Sequence, residues 1–417
     1  MKLFCFIISF GFFLITQAQD LDYVKQQADI LASERMLGRG YVGGGLDLAA
    51  EHISKEFENL GLIGFGQDYY QPFYHRVNTF PSVIEFKIGG DALSPGIDFI
   101  VDPSCPLFAG RLMARIIPLT DLKTLPHPDT IASTCVDCIL VLDARGLTDK
   151  TILKDADQLK YLYSEYAPVV WLSDTKLTWA VSDQQTRYPI VETNSDKLKD
   201  GSWIELKIGA ELISDFKSKN ILGHVKGRSV PDSIIVFTAH YDHLGMMGEE
   251  ACFNGANDNA SGTAFLLSLA KHYVEYPDDY TCVFIAFAGE EAGLKGSKYF
   301  VENPLFDLSK VRFVINLDLM GSGVDGITVV NAKENHEEFS ILEELNTEHE
   351  LLPVVKSRGQ AANSDHYYFA EAGVPAIFIY ALGGSQAYHD VHDVSSNLTF
   401  EEYPDIFKLL TYLVDKL

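Results

Sequence analysis

The sequence has few basic residues for its size. Its 33 lysines and arginines are outnumbered by 58 aspartates and glutamates, which gives a formal net charge of −25 over 417 residues. A surface this acidic argues against nucleic acid as a partner, because binding to phosphates needs a basic face. It favours a soluble exported protein, and it attracts metal cations.

Long apolar runs are scarce as well, and the clearest one is at the N-terminus. The stretch MKLFCFIISFGFFLITQAQD has one early lysine, an apolar run and then Thr16-Gln17-Ala18. This pattern predicts a secretory signal peptide over residues 1–18, and therefore export to the periplasm or the medium. The run is short for a membrane span, so we expect no stable membrane insertion after cleavage; an uncleaved anchor is the alternative.

Cysteine is rare, with six residues, one of them inside the predicted signal peptide. Cys135 and Cys138 are close enough in sequence to form a disulfide in an oxidising compartment. A redox motif is disfavoured, because the pair leads directly into the apparent strand ILVLDA and opens no helix. A zinc knuckle would need a second cysteine pair, which the chain lacks.

The pattern of apolar residues predicts an α/β fold. Apolar residues spaced by four and three from Gly44 to Leu60 predict an amphipathic helix that Gly61 ends. From Asn220 onward, apolar strands alternate with helices, which predicts a mostly parallel twisted sheet with helices on both faces. Between about Ser82 and Lys217 the apolar runs are short and broken by Gly, Pro and Asp. We therefore predict an α/β domain over 19–81 and 218–417, with a smaller β-rich domain, 82–217, inserted into it.

Residues that commonly bind metals follow the predicted strands of the second half. In parallel sheets, ligands bind where the strands end at their carboxyl edge. Asp242 is two residues after His240 and faces the same way in extended chain, so it can fix the tautomer of a ligating histidine. The residues at these strand ends are His240, Asp242, Asp258, Glu290, Glu291, Asp318, His389, His392 and Asp393.

The adjacent glutamates Glu290 and Glu291 need not act alike. Neighbours in extended chain point to opposite sides, so one can bind a metal while the other acts as a general base. Two divalent cations would be balanced by three aspartate or glutamate ligands and a bridging hydroxide. Asp258 could then bridge, with His240 and Asp318 completing one metal and Glu291 and His389 the other. Nitrogen and oxygen ligands suit two Zn²⁺, for which Co²⁺ or Mn²⁺ could substitute.

Six stretches, in this order, carry a family resemblance: AHYDHLG, NGANDNASG, AFAGEEAGLKGS, NLDLMG, SDHYYFAEAGVPAIFIY and YHDVHD. The chain resembles the zinc-dependent exopeptidases, which include secreted bacterial dizinc aminopeptidases, aminopeptidase Y, glutamate carboxypeptidases and glutaminyl cyclases. The resemblance runs from about Leu37 to Leu398 and is weak in the insert, which resembles a protease-associated domain. It implies a cis peptide after Asp258, Glu290 as general base and Asp242 as the orienting residue. The metal ligands that it implies are His240, Asp258, Glu291, Asp318 and His389.

The chain departs from the family pattern in two places. Asn257 and Asn259 flank Asp258 where related aminopeptidases often have an acidic run, although the central aspartate is kept. The last motif has two histidines. Its order of Tyr, His, three residues and Asp selects His389, with Asp393 behind it, and leaves His392 as the alternative. We interpret His243 and His366 as structural.

These observations predict an exported dinuclear-zinc aminopeptidase that acts on peptide substrates. A metal-bridging water would be the nucleophile, and Glu290 would take its proton. One alternative is a carboxypeptidase or dipeptidase, in which Arg358 would bind the substrate carboxylate. A second alternative is a glutaminyl cyclase, which would need only one zinc. A third is a metal-stabilised binding protein, which would bind peptides without cleaving them.

Overall fold

The computed structural model describes residues 21–120, 122, 125–132 and 137–417. The predicted signal peptide and Cys135 therefore lie outside the described residues. Cys138 is disulfide-bonded, whereas Cys105, Cys252 and Cys282 are free thiols. None of the helices in the described ranges is long and apolar enough to cross a membrane.

Nine α-helices and eighteen strands form the described part of the chain. The helices are α1 (21–31), α2 (Gly45–Leu60), α3 (Pro128–Ala132), α4 (Lys150–Ser164), α5 (Gly262–Glu275), α6 (Lys295–Glu302), α7 (His336–His349), α8 (His366–Glu371) and α9 (Tyr403–Lys416). The strands are β1 (Tyr70–Thr79), β2 (Ile84–Ile88), β3 (Asp91–Ala92), β4 (Phe99–Val101), β5 (Phe108–Pro118), β6 (Cys138–Asp143), β7 (Val169–Leu172), β8 (Ile190–Thr193), β9 (Trp203–Ile208), β10 (Glu211–Val225), β11 (Val230–His240), β12 (Gly245–Met247), β13 (Ala251–Phe253), β14 (Tyr280–Phe287), β15 (Val311–Asp318), β16 (Ile327–Val330), β17 (Val355–Ser357) and β18 (Ala376–Ala381).

The first sheet has eight strands in the order β1-β10-β14-β11-β15-β18-β16-β17. Its centre, β14-β11-β15-β18, is parallel. Antiparallel pairs flank this centre, through β10 and β1 on one side and β16 on the other. The predicted α/β fold is confirmed, and the sheet is mixed towards its edges.

Burial explains why the central strands have near-continuous apolar sequences. In β14, every residue after Tyr280 is buried, because helices cover both faces of the sheet. Helix α2 buries Leu46, Ala50, Ile53 and Phe57, as its spacing predicts. Gly61 ends this helix at φ +86°, a left-handed conformation that glycine adopts without a steric penalty.

A second eight-stranded sheet lies within the predicted insert, in the order β3-β2-β9-β5-β6-β7-β8-β4. It is mixed and has its own buried core, with α4 packed on β7 and β8. The predicted boundary at residue 217 falls inside β10, which pairs with β1 from Glu211 onward. The division into domains stays a prediction.

The hairpin β12–β13 joins the two parts of the molecule. It follows the strand that ends in His240, yet Met247 and Phe253 are buried in the core of the second sheet. There the ring of Trp179 lies 4.8 Å from that of Phe253. This packing brings the loop that contains Trp179 to the carboxyl edge of the first sheet.

Candidate metal centre

The five predicted metal ligands lie together at the carboxyl edge of the first sheet. His240 is the last residue of β11, and Asp318 is the last residue of β15. Glu291 follows β14, Asp258 lies in the segment before α5, and His389 lies in the loop after β18. The meeting of these side chains follows from parallel strands that end at the same edge.

Asp258 lies between the two histidines. Its Oδ1 is 3.4 Å from His240 Nε2, and its Oδ2 is 3.1 Å from His389 Nε2. His240 Nε2 is also 3.3 Å from Asp318 Oδ2, and His389 Nε2 is 3.4 Å from Glu291 Oε2. The five side chains therefore form two groups that share one carboxylate.

The chemistry of this donor set fits divalent metal ions. It consists of imidazole nitrogens and carboxylate oxygens, without a thiolate. Within the described residues, His240 Nε2 and Asp318 Oδ1 are buried and have no hydrogen-bond partner. A buried polar atom without a partner calls for an explanation, and a metal ion would satisfy both atoms. The side chains thus fit the predicted zinc sites.

His243, which we interpreted as structural, also belongs to this cluster. Its Nδ1 is 2.7 Å from Glu291 Oε1. Candidate ligand atoms of His243, Asp258 and Glu291 lie within 4.8 Å of one another, as do those of His240, Glu290 and Asp318. The sequence signal for this placement is the position of His243 in AHYDHLG, directly after the strand end that supplies His240.

The adjacent glutamates have opposite protonation tendencies. Desolvation raises the pKa of Glu290 well above its usual value; the attraction of His240 opposes this shift, and repulsion from Glu291 and other carboxylates adds to it. Desolvation also opposes ionisation of Glu291, but His389 and His243 outweigh it and lower the pKa of Glu291 to about 2. Glu290 therefore holds a proton more readily, whereas Glu291 stays a carboxylate.

The pKa values of the two histidines favour their protonated forms in the metal-free protein. Burial lowers the pKa of His389, but Glu291 and Asp258 raise it to about 11. Burial likewise disfavours charge on His240, yet Asp318 and its other acidic neighbours raise the pKa of His240 well above its usual value. Since a ligating histidine is neutral, metal binding would release these protons.

Asp242 holds the glutamate pair rather than contacting His240 closely. Its carboxylate accepts hydrogen bonds from the main-chain N–H groups of Glu290 and Glu291, at 3.2 Å each, and from Tyr41 Oη at 2.7 Å. His240 Nδ1 lies 3.1 Å from the main-chain oxygen of Asp242 and 3.8 Å from its carboxylate. The orienting group nearest to His240 is therefore a carbonyl.

The group behind His389 also differs from the expectation. Asp393 accepts hydrogen bonds from the main-chain N–H groups of Asn257 and Asp258, at 2.8 and 3.0 Å, so it fixes the segment that carries Asp258. His389 Nδ1 instead lies 2.9 Å from the main-chain oxygen of Trp179, in the predicted insert. Trp179 N–H donates back to the His389 carbonyl at 2.8 Å.

Two further basic residues position this site. Arg39 is buried, and its guanidinium donates to the carbonyls of Tyr241, Asn254 and Gly255, which ties the end of β11 to the segment before Asp258. Desolvation lowers the pKa of Arg39 to about 10. Lys176 donates to main-chain carbonyls of the His389 loop and forms an ion pair with Asp390. Neither residue had a signal in the sequence, because carbonyl partners leave none.

The peptide bond between Asp258 and Asn259 is cis, as the family resemblance implies.

Two cavities meet at Glu291. A smaller one, of about 210 Å³, is lined by residues that include Glu290, Arg358, Tyr380 and Tyr388. A larger and more open one, of about 780 Å³, lies between the Ala180–Thr186 loop and the residues after Glu291.

Comparison with known proteins gives a family match for the second half of the chain. Residues 220–414, which are 195 of the 417 residues, match the family model described as Peptidase family M28. The match covers the strand ends and loops that carry all five predicted ligands. The resemblance to the zinc-dependent exopeptidases is confirmed, since this part of the chain, just under half of its length, matches peptidase family M28.

Curated relatives match parts of the chain. Aminopeptidase YwaD of Bacillus subtilis is 31% identical over 220 residues, which are 50% of this chain and 47% of the relative. Aminopeptidase Y of Saccharomyces cerevisiae is 30% identical over 217 residues, 48% of this chain and 38% of the relative. A probable zinc metalloprotease of Pyricularia oryzae is 38% identical over 117 residues, which cover 28% of this chain and 23% of the relative. The matched segment thus spans less than half the length of these relatives.

Solved structures are similar over almost the whole chain. A zinc aminopeptidase from Bacillus subtilis, BSAP, aligns with a TM-score of 0.68 and 20% identity, covering 95% of this chain and 94% of that one. The Peptidase M28 precursor from Shewanella amazonensis gives a TM-score of 0.67 at 18% identity, covering 95% of each chain. At these identities, the likeness establishes the fold alone, and it includes the second sheet.

Proposed function

We propose that this chain is an exported dinuclear-zinc aminopeptidase that removes N-terminal residues from peptides. The observation that carries the proposal is Asp258, whose two carboxylate oxygens face two different histidines. A carboxylate in this position suits two metal ions side by side. Export rests on the predicted signal peptide, and the direction of cleavage rests on relatives named as aminopeptidases.

In this proposal, His240 and Asp318 would hold one zinc ion and Glu291 and His389 the other, with Asp258 shared between the two groups. When bound, zinc would lower the pKa of water and polarise the scissile carbonyl. Each ion would have three protein ligands, the open arrangement of catalytic rather than structural zinc sites. Co²⁺ or Mn²⁺ would fit the same ligands.

Glu290 is the proposed general base. It lines the smaller cavity beside Asp258 and Asp318, and Asp242 fixes its main-chain N–H. A group that accepts the proton of the attacking water must hold it until the leaving amine takes it up. The raised pKa of Glu290 suits this role, whereas the lowered pKa of Glu291 suits a ligand.

The two cavities support removal of a single residue. The smaller one is below the roughly 300–1,000 Å³ of typical drug-sized ligand sites, so it suits one amino-acid residue. The larger one can take the remaining peptide. In an aminopeptidase the free α-amino group would lie among the acidic side chains, which favour a cation.

Glu290→Gln tests the assignment of the base. A mixed peptide library, free and N-acetylated, is incubated with the zinc-loaded chain and analysed by mass spectrometry. We expect loss of single N-terminal residues from free peptides only. The Glu290→Gln variant should lower kcat by about a hundredfold to ten-thousandfold while retaining bound zinc.

Glu250→Gln is the matched control, because Glu250 is an exposed glutamate on the β12–β13 turn. Near-normal turnover in Glu290→Gln would contradict the assigned base. Cleavage of acetylated peptides from the other end would indicate a carboxypeptidase. Loss of ammonia from N-terminal glutamine would indicate a cyclase, and binding of peptides without turnover would indicate a binding protein.

A further inference from the structure

An arginine lines the smaller cavity together with carboxylates of the proposed metal centre. Four carboxylates line one part of it: Asp258, Glu290, Glu291 and Asp318. Arg358 and Asn363 line the same cavity, together with the aromatic residues Phe378 and Tyr380. A cavity sized for one residue therefore has a cationic group within reach of whatever occupies it.

The main chain of Arg358 is fixed, although its side chain is not engaged. Its N–H donates to the Val329 carbonyl at 2.9 Å, and its carbonyl accepts from Ala332 N–H at 3.1 Å. Both contacts hold the residue just after β17 at the end of the first sheet. Because the backbone is already fixed, binding through the guanidinium would order the side chain alone.

Arg358 is exposed, and its guanidinium has no protein ion-pair or hydrogen-bond partner in the described ranges, although four carboxylates line its cavity. Buried Arg39, by contrast, donates to four main-chain carbonyls at 2.6–2.8 Å. Arg145 forms an ion pair with Asp143 at 2.7 Å. Arg358 thus keeps its fork of donors available, and this fork matches a carboxylate in a bidentate manner.

The charge balance of the cavity indicates which kind of group Arg358 would bind. In the proposed enzyme, the three ligand carboxylates Asp258, Glu291 and Asp318, together with a bridging hydroxide, would offset the charge of two divalent cations. The positive charge of Arg358 is then not needed to neutralise the metal centre. An anionic group on the substrate would complete the balance in this partly enclosed cavity.

We propose that Arg358 selects substrates that place a carboxylate in this cavity, with the Asn363 amide as a second donor. The inference rests on the proposed peptidase function and names its substrate class. The carboxylate comes either from the side chain of an N-terminal Asp or Glu or from the C-terminus of the substrate. In an aminopeptidase it is the side chain, because the cavity then holds the first residue.

The experiment compares peptides that differ only in the charge of one group. The first series begins with Glu, Gln or Leu, and a second series has a free or an amidated C-terminus. In the wild-type enzyme, kcat/KM should favour Glu over Gln by about ten- to a hundredfold, the effect of a charge-assisted bidentate contact. Arg358→Met should remove this preference and leave the Leu peptide within about twofold.

Lys356→Met is the matched control, since it removes the same charge from an exposed side chain two residues away on β17, and the cavity lining does not include it. It should keep the preference for Glu. A preference that follows the C-terminal carboxylate and is lost in Arg358→Met would assign Arg358 to that source. An equal fall in kcat/KM for every peptide in Arg358→Met would overturn the proposal. The arginine would then affect turnover in general and would not select a substrate carboxylate.

A binding measurement separates this inference from the proposed function. If no peptide is cleaved, the aminopeptidase proposal fails, but free glutamate and glutamine can still be titrated into the zinc-loaded protein by calorimetry. Tighter binding of glutamate to the wild type, lost in Arg358→Met and kept in Lys356→Met, supports carboxylate selection. Equal binding of the two amino acids to the wild type would overturn it.

Discussion

His240 and His389 approach the two oxygens of Asp258 from parts of the molecule that are held in different ways. His240 ends a central strand of the first sheet, its side chain is 1% exposed, and its Nδ1 contacts a carbonyl two residues away. His389 lies in a loop, is 16% exposed, and takes its contact from Trp179, more than two hundred residues earlier. One half of the proposed centre depends on the first sheet, and the other half depends also on the second.

This difference predicts two metal sites of unequal robustness. The segment with Lys176 and Trp179 holds the His389 loop through hydrogen bonds and one ion pair, and it is anchored by packing of Trp179 on Phe253. Contacts behind a ligating histidine typically change metal affinity 10- to 100-fold. Perturbing the second sheet should therefore weaken one metal site and spare the other.

The largest effect is expected at the residue common to both halves. Asp258→Asn removes the charge that both ions would share, so it should reduce bound zinc from two equivalents to at most one. Activity should fall by about a thousandfold or more, because each ion supplies several kcal/mol to the transition state. Metal content by plasma mass spectrometry after gel filtration, together with peptidase assays, checks this.

The variant His389→Ala is the comparison for Asp258→Asn. It should lose one equivalent and keep the ion at His240. Two retained equivalents in Asp258→Asn would show that the carboxylate does not bridge, and loss of both ions from His389→Ala would show that the halves are not separable.

A smaller effect is expected from Lys176→Met, which acts on one half only. The change removes the ion pair with Asp390 and the contacts to the Gln386 and Tyr388 carbonyls. The zinc ion at Glu291 and His389 should bind about 10- to 100-fold more weakly, while the affinity for the ion at His240 and Asp318 is unchanged. Competition titrations with a zinc chelator would resolve the two steps.

The control for Lys176→Met is Lys197→Met. Lys197 pairs with Asp91 of β3, at the opposite edge of the second sheet, and the substitution makes the same change in charge. Equal behaviour of the two variants would mean that net charge, rather than the His389 loop, sets the affinity.

The smallest effect concerns the anchor of that loop. Trp179→Phe keeps an aromatic ring against Phe253 but removes the hydrogen bond from Nε1 to the Val101 carbonyl, which is 2.9 Å long and buried. We expect a loss of about 1–3 kcal/mol in the free energy of unfolding, because a buried acceptor is left without a partner. Urea unfolding of the metal-free protein, followed by circular dichroism, measures it.

Trp203→Phe provides the reference, because Trp203 is 44% exposed and its replacement should change stability by less than about 0.5 kcal/mol. If Trp179→Phe were equally neutral, the hydrogen bond from Trp179 Nε1 to the Val101 carbonyl would not contribute to holding the loop.

The same contrast between the two halves explains what could be predicted from the sequence. His240 and Asp318 end apolar strands, and parallel strands end at one edge, so their meeting follows from local patterns. Asp258 and His389 were selected by the family resemblance as well as by position. The confirmed fold class rests on periodicity, which short strands near the edge of the sheet, such as β16 and β17, do not show clearly.

What the sequence could not show are contacts through the main chain. Trp179 serves His389 through its carbonyl, and Arg39 binds carbonyls, so no particular side-chain type marks the partner. Asp393 and Asp242 were expected behind the two histidines but contact N–H groups instead, because the backbone of loops is not readable from residue spacing. His243 lies in the cluster although a lone histidine at a strand end is more often structural, so its spacing alone did not single it out.

The hydrogen bonds between Trp179 and His389 have a consequence for biosynthesis. Trp179 emerges from the ribosome well before His389, and the pair can form only once both parts of the chain have docked. In the proposed enzyme, a chain caught between these stages would lack a complete second metal site. The latent state of a newly made peptidase would then need no separate inhibitor, since incomplete docking itself would keep it from acting on its surroundings.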